Sequence, residues 1–132
     1  MKKITFTILM LILANSSYSQ STANDKVNQI KTFFQKNCLA ESEKTFFYNK
    51  AEKIIEFDGY QIPYMETKVT YRFINNEHYS FSDFVYFECK YNNKCIIDPE
   101  NNGNSGFYIP FASKSKAYQF INLISELREF YE

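Results

Sequence analysis

Residues 65–73, which read Met-Glu-Thr-Lys-Val-Thr-Tyr-Arg-Phe, alternate between two kinds of side chain. The odd positions carry Met65, Thr67, Val69, Tyr71 and Phe73, and the even positions carry Glu66, Lys68, Thr70 and Arg72. A period of two is typical of a strand with one face on a core and the other in water. This stretch therefore predicts a half-buried β-strand, and the sheet that contains it decides the class of fold.

Short strands are also predicted on both sides of this stretch. They cover residues 45–48, 53–57, 78–81, 84–91, 94–98 and 107–111. Asp58-Gly59 and Asn75-Asn76 are turn signals, and residues 98–106 form a polar loop. Short strands joined by turns predict an antiparallel sheet, or a partly open barrel, of about six or seven strands.

Helices are predicted at both ends of this strand-rich region. Residues 24–38 begin with Asn24 as a helix cap and carry apolar residues at helical spacing: Val27, Ile30, Phe33, Phe34 and Cys38. Residues 114–130 follow Ser113 as a cap, and their apolar stripe comprises Ala117, Phe120, Ile121, Ile124 and Leu127, widened by Leu123 and Phe130. Helices segregated to the ends of an antiparallel sheet predict an α+β domain, its open side covered by the C-terminal helix.

This layout resembles pleckstrin-homology-like domains, with a helix-grip arrangement as the alternative. It is also similar to small exported bacterial proteins of uncharacterised function. The motifs that carry this resemblance are Phe87-Glu88-Cys89-Lys90, Cys95-Ile96, Ile109-Pro110-Phe111 and the helix over 114–130. The resemblance implies a fold and no particular chemistry, because such sheets host many unrelated binding roles.

The first nineteen residues have the three-part pattern of a cleaved secretory signal. Met1-Lys2-Lys3 is positively charged, Ile4 to Ala14 is mostly apolar, and small residues precede Gln20. The apolar run is too short to cross a bilayer core, which needs about twenty residues. We therefore expect residues 1–19 to be removed, leaving one α+β domain over 20–132 in the periplasm or the medium, without a stable membrane anchor.

Charge and composition exclude some partners. Cleavage would leave 13 basic and 15 acidic residues, a net charge of −2, so nothing predicts nucleic-acid binding. Tyr and Phe together make up 25 of the 132 residues, which is enough to fill the core of a small domain. No motif for a nucleotide, a cofactor or a zinc protease is present, and no cofactor is predicted.

Export makes a disulfide the expected state of two neighbouring cysteines, Cys89 and Cys95. We predict that they flank a hairpin tip, and the turn length decides whether they can bond. A two-residue Asn92-Asn93 turn would put the thiols on opposite faces. A three-residue turn starting at Tyr91 would pair the cysteines directly, with Asn93 in the left-handed region. We expect the second register and a Cys89–Cys95 bridge.

Cys38 is left over by this pairing. A buried, inert free thiol is the favoured interpretation, because unpaired cysteines are often buried, and an intermolecular bridge is the alternative. Zinc binding by three cysteines and His78 is disfavoured by the spacing between Cys89 and Cys95.

Residues 98–104 are rich in oxygen ligands. Asp98, Glu100 and Asn102 match the first, third and fifth positions of a calcium loop, but Ile109 stands where a bidentate Glu belongs. An ordinary solvated loop is therefore the favoured interpretation, calcium binding is a weak candidate, and no metal site is predicted.

The sequence alone assigns no specific function. The leading hypothesis is a non-catalytic interaction or accessory module that binds another protein or extracellular macromolecule, with Tyr60, Tyr64 and Tyr91 as a possible surface. An equal interpretation of the 58–64 loop is that Tyr64 tucks under the sheet. One alternative function is a carrier with a cavity between sheet and C-terminal helix, and another is a small hydrolase using carboxylates, His78 and tyrosines. No catalytic residue is assigned.

Overall fold

Eight short strands lie between two helices in a computed structural model that describes residues 23–75, 77–78 and 82–131. The predicted signal peptide lies outside these residues. The helices are α1 (23–37) and α2 (Lys114–Glu129). The strands are β1 (Phe46–Asn49), β2 (Ile54–Phe57), β3 (Tyr60–Pro63), β4 (Thr67–Phe73), β5 (Asp83–Cys89), β6 (Ile96–Ile97), β7 (Gly103–Asn104) and β8 (Gly106–Phe111). The predicted α+β class is confirmed.

The strands form two antiparallel sheets that do not close into a barrel. Their orders are β1-β2-β3-β6-β7 and β4-β5-β8. The chain crosses between the two sheets three times. It passes from β3 to β4, from β5 to β6 and from β7 to β8. The crossings lie at residues 64–66, 90–95 and 105.

The Asp58-Gly59 turn signal is confirmed as a two-residue hairpin. Both residues have positive φ, 50° and 87°, and Phe57 pairs with Tyr60 across the turn. Left-handed residues at both central positions match the twist of the flanking strands, which is why Asp-Gly suits this turn. The chain that follows is strand β3, whereas the sequence had predicted a loop there.

Aromatic rings from both sheets and both helices meet in one core. The Phe120 ring of α2 lies 5.2 Å from that of Phe111, 5.8 Å from that of Phe57 and 6.1 Å from that of Phe33 in α1. The predicted stripe of α2 faces this core, with Ala117, Phe120, Ile124 and Leu127 fully buried. Ser113 caps α2 as predicted, since its hydroxyl accepts a hydrogen bond from the Lys116 N–H at 3.2 Å.

Two details of the helix predictions are wrong. Asn24 lies inside α1 and does not cap it. Phe130, which the stripe was expected to include, follows the last helical residue and is 40% exposed. Both residues sit near helix ends, where helical periodicity specifies position least.

Cys89 and Cys95 lie at disulfide distance, as predicted, but not in a hairpin. Their Cα atoms are 5.9 Å apart, yet β5 pairs with β4 and β8, while β6 pairs with β3 and β7. The chain thus leaves one sheet at Cys89, makes a short excursion and joins the other sheet after Cys95. The left-handed residue is Asn92 (φ 56°) and not Asn93.

The predicted strand over 78–81 is only partly covered by the structure. His78 lies in a turn and is exposed, so this end of the prediction is wrong. Residues 79–81 lie outside the described residues. No helix in the described part of the chain is long and apolar enough to cross a membrane.

Candidate interaction surface

The three-stranded sheet has one face on the core and one face toward solvent. Val85, Phe87 and Cys89 of β5 point into the core, so the alternate side chains point the other way. We call this second side the outer face. It comprises Lys68, Thr70, Arg72, Tyr86, Glu88, Gly106 and Tyr108, and it ends at Phe84 and Pro110, which are buried.

Three side chains of the outer face form an ordered stack, here called the aromatic stack: Arg72, Tyr86 and Tyr108. The Arg72 guanidinium lies 4.0 Å from the centre of the Tyr86 ring. The rings of Tyr86 and Tyr108 lie 4.3 Å apart and are inclined by 26°. Arg72 Nη1 also donates to the Tyr108 hydroxyl at 3.3 Å. Each member contacts the other two, so the stack is fixed before any partner arrives.

The strand register explains why this stack can form. Tyr86 pairs directly with Tyr108, and Gly106 is the residue beside Glu88 on β8. A methyl group at position 106 would lie 2.6 Å from Cζ of Tyr86, so only glycine leaves room for that ring. Burial raises the pKa of Tyr86, the neighbouring Tyr108 and Glu88 add to this effect, and the charge of Arg72 opposes it.

A second exposed feature is the excursion between Cys89 and Cys95. Lys90, Asn92, Asn93 and Lys94 are exposed, and Tyr91 is 75% exposed. The two cysteines at its ends lie at disulfide distance, and Tyr91 is on the exposed part of the chain between them.

The three tyrosines that the sequence proposed as a surface do not come together. Tyr91 is exposed, Tyr60 is half-buried with its ring 4.5 Å from that of Phe107, and Tyr64 is fully buried. Tyr64 packs between Tyr48 and Tyr131, and burial raises its pKa to about 12. The alternative interpretation, that Tyr64 tucks under the sheet, describes its position.

Sequence reasoning missed the aromatic stack. Exposed aromatic residues were expected in the loops, whereas Tyr86 and Tyr108 lie within strands. The available signal was the period of two in β5 and β8, which places both tyrosines opposite the core residues. Their direct pairing needed the strand order, which the sequence did not provide.

The calcium-loop candidate is organised as a turn closed by Asp98. One carboxylate oxygen accepts the backbone N–H groups of Glu100 at 3.0 Å and Asn102 at 2.8 Å, and the other accepts the side-chain amide of Asn104 at 3.2 Å. These hydrogen bonds, chiefly that from Asn102, lower the pKa of Asp98. Within the described residues, no three His, Cys, Asp or Glu side chains are grouped so as to hold a metal ion.

The space that a carrier would need is filled. Phe120, Ile124 and Leu127 are fully buried where α2 covers the sheets. A groove of about 690 Å³ lies instead between α1 and α2 on the surface. Its lining includes Asp25, Lys36 and Lys116 and does not include His78.

Comparisons with protein-family models, with curated proteins and with solved structures found no match for this chain. The resemblance to pleckstrin-homology-like domains therefore stays a prediction.

Proposed function

We propose that this chain is an exported, non-catalytic interaction module that binds another protein through the outer face of its three-stranded sheet. The aromatic stack carries this proposal. Tyrosine and arginine are among the residues that most often dominate the binding energy of protein interfaces. A stack that is ordered in the free protein also loses little side-chain entropy on binding.

Two observations support export. The first nineteen residues have the charge and hydropathy pattern of a cleaved signal. The Cys89–Cys95 pair is at disulfide distance, and such bonds persist in oxidising compartments. The closed packing under α2 and the exposed position of His78 give the carrier and the hydrolase less support.

Site-specific photo-crosslinking in the native organism tests the proposal. A photoreactive residue at Thr70, which pairs with Tyr86 on the outer face, should give a discrete adduct with a partner protein. Ser125, exposed on α2, is the matched control position. The adduct should disappear when Tyr108→Ser is added. No adduct at Thr70, or the same adduct at Ser125, would contradict the proposal.

A further inference from the structure

Strand β4 is one of the two edges of the three-stranded sheet. Two backbone hydrogen bonds, both 2.9 Å, lie at the ends of its pairing with β5. The Ile74 N–H donates to the Ser82 carbonyl, and the Lys90 N–H donates to the Glu66 carbonyl. Because bonded pairs alternate in an antiparallel ladder, the even-numbered residues of β4 direct their backbone groups to β5. The odd-numbered residues direct theirs to the open edge.

Most backbone groups on this open edge have no partner in the described part of the chain. The Thr67 carbonyl accepts a hydrogen bond from Arg128. The N–H and C=O groups of Val69, Tyr71 and Phe73 have none there. Unpaired groups along a strand of this length are a template for another strand.

The side chains along this edge differ on its two sides. On the core side, Val69 and Tyr71 are half-buried, and Phe73 is 63% exposed. On the outer side, Lys68 and Arg72 are exposed cations that share one acidic neighbour: Glu88 pairs with Lys68 in register, and its Oε2 lies 3.9 Å from Arg72 Nη2. A strand laid along this edge would therefore place alternate side chains against apolar groups and against positive charges.

We propose that β4 accepts an extended segment of a partner protein as an additional strand, with acidic side chains beside Lys68 and Arg72 and apolar side chains beside Val69 and Phe73. This inference rests on the proposed function, because it names how the partner binds. The two cations on the outer side favour an acidic segment as the occupant. Full overlap of two β4 strands, centred on Thr70, would place Lys68 opposite Arg72, and like charges in that position repel.

Binding of a labelled nine-residue peptide of alternating Val and Glu, followed by fluorescence anisotropy, tests this proposal. A peptide with Lys in place of Glu is the control ligand, and we expect only the acidic peptide to bind. Val69→Pro should abolish binding, because proline removes an edge N–H that β5 does not use. Val69→Ala, which keeps that N–H, should bind normally.

Charge variants test the same edge without altering the backbone. Lys68→Glu should weaken binding of the acidic peptide by roughly three- to tenfold. Lys116→Glu, on α2, makes the same charge change and should leave binding unaltered. Hydrogen exchange should show new protection at the amides of Val69, Tyr71 and Phe73 in the complex. If Val69→Pro does not fold, this protection decides whether the peptide binds along β4.

Three results would overturn this inference: equal binding of the two peptides, binding that survives Val69→Pro, or protection confined to other residues. A wild-type dimer in sedimentation that Val69→Pro dissociates would identify a second copy as the occupant, and would equally reject an acidic partner segment. If the peptide fails while the Thr70 crosslink persists, strand addition is wrong and the interaction module stands. If the peptide fails to bind and the Thr70 crosslink is also absent, both strand addition and the interaction module are rejected.

Discussion

Gly106 shows how one missing side chain shapes the outer face. A methyl group at this position would overlap the ring of Tyr86, which stacks on Tyr108. Gly106→Ala should therefore destabilise the protein by about 1–3 kcal/mol through overpacking. The cost should fall when Tyr86→Ala removes the ring, as urea unfolding of both single variants and the double variant would measure. An equal cost in both backgrounds would mean that Tyr86 is not the obstacle.

Cys38 is a buried thiol at the end of α1, with 3% of its surface exposed. Burial raises its pKa, although a hydrogen bond from the Ala40 N–H partly opposes this effect. The thiolate is the reactive form, so the native thiol should react slowly with a thiol reagent. Unfolded but unreduced protein should give one thiol per chain, and reduced protein should give three. Three thiols before reduction would show that Cys89 and Cys95 are not bonded.

At the scale of elements, the excursion from Cys89 to Cys95 joins a strand of one sheet to a strand of the other. Opening the disulfide would free the end of β5 from the start of β6, and β6 has only two residues, Ile96 and Ile97. On the chain-entropy estimate, a loop of this size is stabilised by about 2–3 kcal/mol.

The double variant Cys89→Ala with Cys95→Ala should lose about this amount in the free energy of unfolding. Cys38→Ala is a control for removing a buried sulfur without opening a loop. Wild type treated with a reductant should match the double variant. Unchanged stability in the double variant and in the reduced wild type would show that the pairing of β6 with β3 and β7 keeps this crossing in place without the disulfide.

At the scale of the whole molecule, Arg128 links the C-terminal helix to the crossing between β3 and β4. Its Nε donates to the Tyr64 carbonyl at 2.8 Å, and its Nη2 donates to the Thr67 carbonyl. The guanidinium thus joins the helix to the crossing and to the first residue of β4.

Arg128→Met should destabilise the protein by about 2–4 kcal/mol, because two carbonyl groups lose charged donors. Arg128→Lys should cost less than Arg128→Met, since an ammonium can still reach one of the carbonyls. Glu129→Gln, at an exposed neighbouring position, is the matched control and should change stability little. Thermal unfolding of the three variants would compare these costs, and a loss as small as that of Glu129→Gln would remove Arg128 from this role.

Local patterns in the sequence predicted most elements of the fold. Helical spacing located α2, alternation located β4, and Asp58-Gly59 located the first hairpin, because each pattern reflects neighbours within a few residues. The Cys89–Cys95 pairing followed from proximity in the chain.

Strand order and the outer face were decided only by the tertiary structure. Whether the chain after Cys89 turns back along β5 or crosses to the other sheet depends on which distant strand pairs with Ile96 and Ile97, and no local pattern records that. The same holds for Tyr86 and Tyr108, which meet because β5 lies beside β8. Local sequence determines which face of an element is apolar, whereas contacts between distant residues determine which elements become neighbours.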